Sequence, residues 1–154
     1  MSLDSVRAFL HRHAPDLDIL VTEESSATVA LAAAAHGVEP ARIAKTLALR
    51  VGDRVLLLVT RGDARLDNRK VKAAFGAKPR LLDATETEAV TGHPVGGVCP
   101  FGLPTPLPVV CDVSLRAFDT VLPAAGATNS AVRIEPERLA RLVDATWADV
   151  CQAT

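Results

Sequence analysis

Tyrosine is absent from this 154-residue chain, tryptophan occurs once, and the aromatic residues together make up 3% of it. Reading unpaired bases by stacking needs many aromatic faces, so a protein that works mainly in that way is excluded. Cysteine is scarce and odd in number. Positions 99, 111 and 151 form no Cys-x-x-Cys pair, which argues against a disulfide framework and against a zinc or redox site of that spacing. His11 and His13 lie two apart on a predicted helix and do not share a face, while His36 and His93 stand alone; no metal is expected. Gly-x-Ser-x-Gly, a P-loop and the Rossmann glycine fingerprint are all missing. The longest apolar run, Val29–Ala35, is far short of a membrane span, and the N-terminus lacks the apolar centre of a secretion signal. A cytoplasmic protein with no membrane partner is expected.

What is present is an ordinary globular composition, 49% hydrophobic and 23% charged, in a length that suits one domain over residues 1–154. The net charge of −1 is unevenly spread. Residues 40–80 carry eleven Lys and Arg against three Asp, a local +8, so the remaining residues sum to −9. Gathered on one face, that segment is a phosphate-facing surface; scattered, it is a solvated face with local pairing.

Leu3, Val6, Phe9 and Leu10 follow helical spacing up to Pro15. Asp18–Glu23 reads as a short strand. Ser25-Ser26 can cap an alanine-rich helix from Thr28 to His36, which Gly37 stops. Ile43, Lys45, Leu47 and Leu49 alternate on one side of a strand, and the continuous apolar run Val55–Thr60 follows across Gly52-Asp53. This predicts a hairpin with a buried second strand. Asp67 caps a helix through Phe75, ended by Gly76. Arg80–Leu82 is a strand candidate, 84–91 a helix, and 92–108, with four glycines and five prolines, a long loop. Strands are expected at Pro108–Asp112, Phe118–Leu122 and Ala131–Ile134, a helix from Pro136, and a last helical turn at Trp147 and Val150. The interleaving predicts a mixed-sheet α/β or α+β domain.

Lys45 is the residue with the most chemical content. It sits in an apolar row, and an unpaired buried ammonium is costly, so it either snorkels to water or projects into a pocket as a cation. The loop Thr91–Pro104 can present free amides to an anion or carbonyl, with Val98, Phe101 and Leu103 as pocket walls. Ala124–Asn129 either closes a pocket or is a plain hairpin loop. Cys99, six residues after His93, is the one thiol placed to be considered as a nucleophile. Glu23-Glu24 and Glu86/Glu88 read as solvent-facing acids rather than a catalytic pair.

Taken in order, Ile43-Ala-Lys-Thr-Leu-Ala-Leu-Arg50, Leu66-Asp-Asn-Arg-Lys-Val-Lys72, Thr91-Gly with Gly96-Gly-Val-Cys-Pro-Phe-Gly102, and Gly126 to Asn129 resemble the YbaK family, which also supplies the editing domain inserted in bacterial prolyl-tRNA synthetases. The resemblance runs from about residue 18 to 145. It implies a mixed sheet partly closed into a barrel with surrounding helices, and a free-standing deacylase acting on the 3′ end of mischarged tRNA. Alanyl- or cysteinyl-tRNA for proline is the implied substrate and prolyl-tRNA synthetase a further partner. It implies Lys45 as the active-site residue, and Thr28, Thr46, Gly96, Gly97, Val98, Cys99, Pro100, Phe101, Gly126 and Asn129 around the substrate, with water as nucleophile and neither metal nor cofactor. Asn129-Ser-Ala-Val-Arg133 lacks the acidic residue that the cysteinyl branch tends to carry there, leaving the amino-acid preference open. The competing readings are a tRNA-end or nucleotide-binding module of the same fold without turnover, and a hydrolase built on Cys99.

Overall fold

A computed structural model describes residues 2–153. The first helix, α1 (Ser2–His13), buries Val6 and Leu10 and ends before Pro15. Strand β1 (Ile19–Val21) leads to α2 (Val29–His36). Thr28, not the serine pair, caps α2: its Oγ1 accepts the Leu31 N–H at 3.1 Å. Ser26 is instead drawn to the Thr128 carbonyl, which accepts both its amide and its hydroxyl. Gly37, at φ 67°, ends the helix in the left-handed conformation.

The expected hairpin forms from β2 (Ile43–Val51) and β3 (Arg54–Arg61), paired from Ala44–Arg61 to Val51–Arg54. Leu57, Leu58 and Val59 are fully buried, each worth roughly 1.5–3 kcal/mol of transfer free energy. This explains why β3 reads as an unbroken apolar run rather than an alternating one. After it come α3 (Asn68–Phe75), capped by the Asp67 carboxylate on the amides of Arg69 and Lys70, then β4 (Pro79–Leu81) and α4 (Ala84–Thr91). A reciprocal capping box between Asp83 and Glu86 starts α4. The rest comprises β5 (Val109–Asp112), β6 (Leu122–Pro123), β7 (Ser130–Val132), α5 (Pro136–Leu142) and β8 (Thr146–Ala148).

The main sheet runs β4-β2-β3-β5-β8, with β6 parallel to β2, while β1 and β7 form a separate antiparallel pair. The class is mixed α/β, but the expected barrel closure is not there. Beyond β6 the ladder continues, among the described residues, only through the isolated bridges Val121–Ile134 and Ala124–Ala131, and β4 and β8 remain edges.

Two further expectations are corrected. Phe118–Leu122 is a strand only at its end: Val121 bridges Ile134 and Leu122–Pro123 pairs with β2, while Phe118 lies beneath two guanidiniums, Arg42 and Arg61, at 5.0 and 5.1 Å from its ring centre. The segment at Trp147 is a strand rather than a helical turn. It lies parallel to β5, and the buried Asp112 accepts the Val150 N–H at 2.8 Å to hold the chain beyond it.

Both faces of β2 are covered. Ala44 and Ala48 belong to the larger core with Val6, Leu10, Phe101 and Leu139, whereas Leu49 and Val51 pack with Val71 of α3 and Val150. Small residues on one face and large ones on the other set how closely each layer approaches.

Candidate functional site

The two edges of β2 differ. One is paired along its length with β3; the other meets β4 only at Leu49–Val51 and β6 only at Ile43–Ala44. Peptide groups in an antiparallel pair alternate in direction. The Ala48 carbonyl accepts the Leu82 N–H at 3.0 Å, and the opposed Leu57 amide turns the other way to Pro108. By alternation the N–H and C=O of Thr46 also point away from β3, into the gap that neither β4 nor β6 fills. The Thr46 hydroxyl is buried and has no hydrogen-bond partner among the described residues, an arrangement that costs about 1–3 kcal/mol when nothing fills it.

A cavity of about 370 Å³ opens on this gap, within the range of small-ligand pockets. Its floor is Ile43–Ala48; its walls come from α2 (Val29, Ala32), the end of β4 and start of α4 (Leu81, Leu82, Thr87), and the loop residues Val95, Gly96 and Val98. Ser26, Thr28, Lys45, Thr46, Thr87 and Ser130 are the side chains with polar atoms in an otherwise apolar lining. Among the described residues the lining holds no carboxylate, imidazole or thiol.

The loop is pressed into place by its glycines. Gly96 has φ 93°, and a Cβ there would stand 2.8 Å from the Ala27 Cβ; a Cβ on Gly97 would meet the Gly126–Ala127 backbone at 2.9 Å. The Gly126 amide donates to the Gly97 carbonyl at 3.0 Å. The early loop before α2, the glycine-proline loop and the late glycine loop thus abut without intervening side chains.

Lys45 contributes to the lining, and its Nζ donates to the Ala64 carbonyl at 2.6 Å. Burial lowers its pKa; the neighbouring Cys151 and Asp63 act in the opposite sense, and Arg65 adds to the lowering. Lys45 therefore borders the cavity, and its ammonium is held at the turn before α3.

Of the residues singled out in the sequence, Thr28, Lys45, Thr46, Gly96 and Val98 line the cavity. The others lie behind it. Gly97 and Gly126 carry the backbone contact between the two loops, and the Gly97 amide is committed to Pro94. Asn129 Nδ2 donates to the Thr22 carbonyl, tying the late loop to the segment after β1. Pro100 is buried, Leu103 packs on the main core, and Phe101 is fully buried with its ring 5.8 Å from that of Phe9; neither apolar side chain is a cavity wall.

Cys99 is also fully buried, its Sγ 3.6 Å from His93 Nε2. Burial pushes its thiol up to about 12 and it is not among the residues lining the cavity, so neither its charge state nor its place suits a nucleophile. His93 is itself neutral by burial. Its Nε2 donates to the Phe101 carbonyl at 2.7 Å, so Nδ1 accepts from the Ser2 hydroxyl.

Thr87, Ser130 and the apolar pair Leu81–Leu82 went unmarked in the sequence reading. They enter the site because separate segments stop at the same gap, and no local pattern marks that.

Comparison with known proteins fits this geometry. The chain is 46% identical to the uncharacterised Bacillus subtilis protein YwhH over 99% of its length and 98% of that protein's. It is 28% identical to Enterococcus faecalis EbsC, named as a candidate Cys-tRNA(Pro)/Cys-tRNA(Cys) deacylase, covering 74% of this chain and 71% of EbsC. A crystal structure described as a candidate trans-editing enzyme for prolyl-tRNA synthetase superposes with TM-score 0.90 at 30% identity, over 99% of this chain and 98% of that one. In the proline–tRNA ligase of Bacillus licheniformis the similarity, at 28% identity, spans 80% of this chain but only 22% of the ligase. Residues 23–142 match the family model of the aminoacyl-tRNA editing domain, and the chain belongs to that family.

Proposed function

We propose that the protein is a trans-acting deacylase that hydrolyses the ester between a small amino acid and the 3′ end of a mischarged tRNA, in the cytoplasm, with the whole of residues 1–154 serving as one editing domain. Tested first as substrates are alanyl- and cysteinyl-tRNA for proline. The observation that carries this reading is the unfilled edge of β2: a peptide N–H and C=O turned away from β3 and a hydroxyl unpartnered among the described residues, all on Thr46, at the floor of an apolar cavity bordered by Lys45.

The reaction needs little from side-chain chemistry. A water oxygen bonds to the carbonyl carbon, the ester C–O bond breaks, and the ribose oxygen leaves with a proton from that water. An aminoacyl ester next to a ribose hydroxyl is activated enough for positioned water to attack, and that hydroxyl orients the water. The protein's part is orientation and stabilisation of the developing oxyanion. The Thr46 amide is the donor for the oxyanion, and Lys45 is the cation for the ribose–phosphate end of the substrate once its head turns from the Ala64 carbonyl. Selection is steric: the apolar walls admit small side chains, at about 1–3 kcal/mol of discrimination per methylene.

The lack of a base or nucleophile in the lining favours a second reading, a module that holds the tRNA end without turnover. Incubating the protein and its Lys45→Ala variant with a panel of mischarged tRNAs separates the two. Release of a small amino acid by the wild type and its loss in the variant support the deacylase. Retention of charged tRNA without release supports the binding module, and equal release by both proteins removes Lys45 from the mechanism.

A further inference from the structure

The +8 segment is not evenly neutralised. Arg42 pairs with Glu39 and Asp119, Arg61 with Asp63, Lys70 with Asp149, and Arg50 and Arg80 share Glu86. Among the described residues, Arg65, Arg69, Lys72 and Lys78 are exposed and make no ion pair, and Arg54 reaches only the Phe75 carbonyl. These five cations share one neighbourhood. Arg69 and Lys72 lie three apart on α3, so they occupy one face of it. Arg65 precedes the Asp67 cap, Arg54 sits at the C-terminal end of α3, and Lys78 leads into β4, which pairs with β2 beside the Arg54 turn.

Nearby acids cancel them only in part. Asp63 and Asp149 are in ion pairs; among the described residues, that leaves Asp53 in the hairpin turn and Asp67, which keeps its charge while capping the amides of Arg69 and Lys70, two carboxylates against five cations. Between the cations α3 exposes Ala73 and Ala74, which let a backbone approach closely. Arg65 directly follows Ala64, whose carbonyl holds the Lys45 ammonium, so the cationic band begins where the cavity ends.

We infer that α3 and its flanks form the surface that takes the phosphate backbone of the tRNA acceptor stem, with Arg69 and Lys72 at its centre and Arg65 at the end next to the cavity. α3, about 12 Å long, faces successive phosphates while the 3′ end turns past Arg65 and Lys45 into the cavity. Contacts of this kind are sequence-independent and salt-sensitive. They suit a chain with too few aromatics to read bases. The inference rests on the reading of tRNA as the ligand, and its test is chosen to be separable from that of deacylation.

The test is binding of uncharged tRNA across a salt series, by the wild type, by Arg69→Glu/Lys72→Glu, and by the control Arg133→Glu/Arg141→Glu, whose cations are exposed and unpaired outside the band. The first pair should fold: among the described residues both side chains are free of ion-pair partners, and the helix-dipole gain of a glutamate at 69, in the first turn of α3, offsets the loss at 72, in its last turn; circular dichroism and Tm check this. The expected result is a loss of at least about tenfold at low salt, with the slope of log K against log salt reduced by about 2, one for each phosphate contact, and a much smaller change in the control. Among kinetic readouts, kcat/KM for charged tRNA should fall at least tenfold more than for an aminoacylated CCA trinucleotide, which has no stem. Equal losses in the two variants, or tRNA binding unaffected by the first, would overturn the assignment; in the latter case an acidic protein partner becomes the better occupant. Salt-dependent binding through α3 without any deacylation would leave this surface standing and remove the proposed hydrolysis.

Discussion

Along its β3 edge, β2 is paired from Ala44 to Val51; along the other it is paired at the two ends and bare in the middle. The first edge is a folding device, completing backbone hydrogen bonds between strands covered on both faces. The second leaves those bonds to something outside the chain. A strand interior with unpaired peptide groups is normally a liability. Here it is covered by α2, by the loop at Gly96 and by the start of α4, which block another strand from docking while keeping a cavity open. The contrast teaches that the site is made by where β4 and β6 stop, more than by any reactive side chain.

Breaking the paired edge should have the largest effect. Leu58→Ala removes a fully buried side chain of β3 and is expected to cost about 2–5 kcal/mol, read as a lower urea midpoint at unchanged m-value. Damage to the cover of the open edge comes next. In Gly96→Ala the new methyl meets Ala27 at 2.8 Å on a backbone at φ 93°, for an expected loss of about 1–3 kcal/mol together with reduced deacylation.

A pH series tests the loop from beneath. Burial holds the His93 pKa below its ordinary value near 6.5, so the folded state binds fewer protons than the unfolded one as pH drops through that value. The stability this group supplies is present above about pH 6.5 and lost below it, by at most about 1.4 kcal/mol per pH unit. Tm should fall between pH 7.5 and 5.5, and the fall should shrink in His93→Gln. Last, and opposite in sign, is Thr46→Val. It deletes a buried hydroxyl that has no partner among the described residues, so the unfolding free energy should rise, by up to about 1–3 kcal/mol, while deacylation drops.

Local signals made the fold legible where elements are fixed by their own residues. The Ile43–Thr60 hairpin was visible in its apolar periodicity, and α3 in Asp67 and Gly76, which cap it as expected. Errors fell where distant segments decide. Trp147 and Val150 stand three apart, a helical spacing, yet the segment is drawn into a three-residue strand by β5, over thirty residues earlier. Phe118 looked like strand because it is apolar, but Arg42 and Arg61 cover it at the surface. The candidate site divides in the same way. Lys45, Thr46, Thr28, Gly96 and Val98 were reachable from sequence. Phe101 and Cys99 were drawn in by their loop, although α1 buries Phe101 and the His93 contact buries Cys99. Thr87 and Ser130 reach the cavity only because α4 and β7 begin there.

The central claim, that the bare stretch of β2 receives the aminoacyl group, is tested most directly by amide NMR with an alanine joined through a non-hydrolysable amide to the 3′ position of adenosine. The account predicts a saturable shift of the Thr46 N–H and slowed exchange of that proton in the complex. Saturable shifts confined to residues away from 43–48, with the Thr46 amide unmoved, would contradict it.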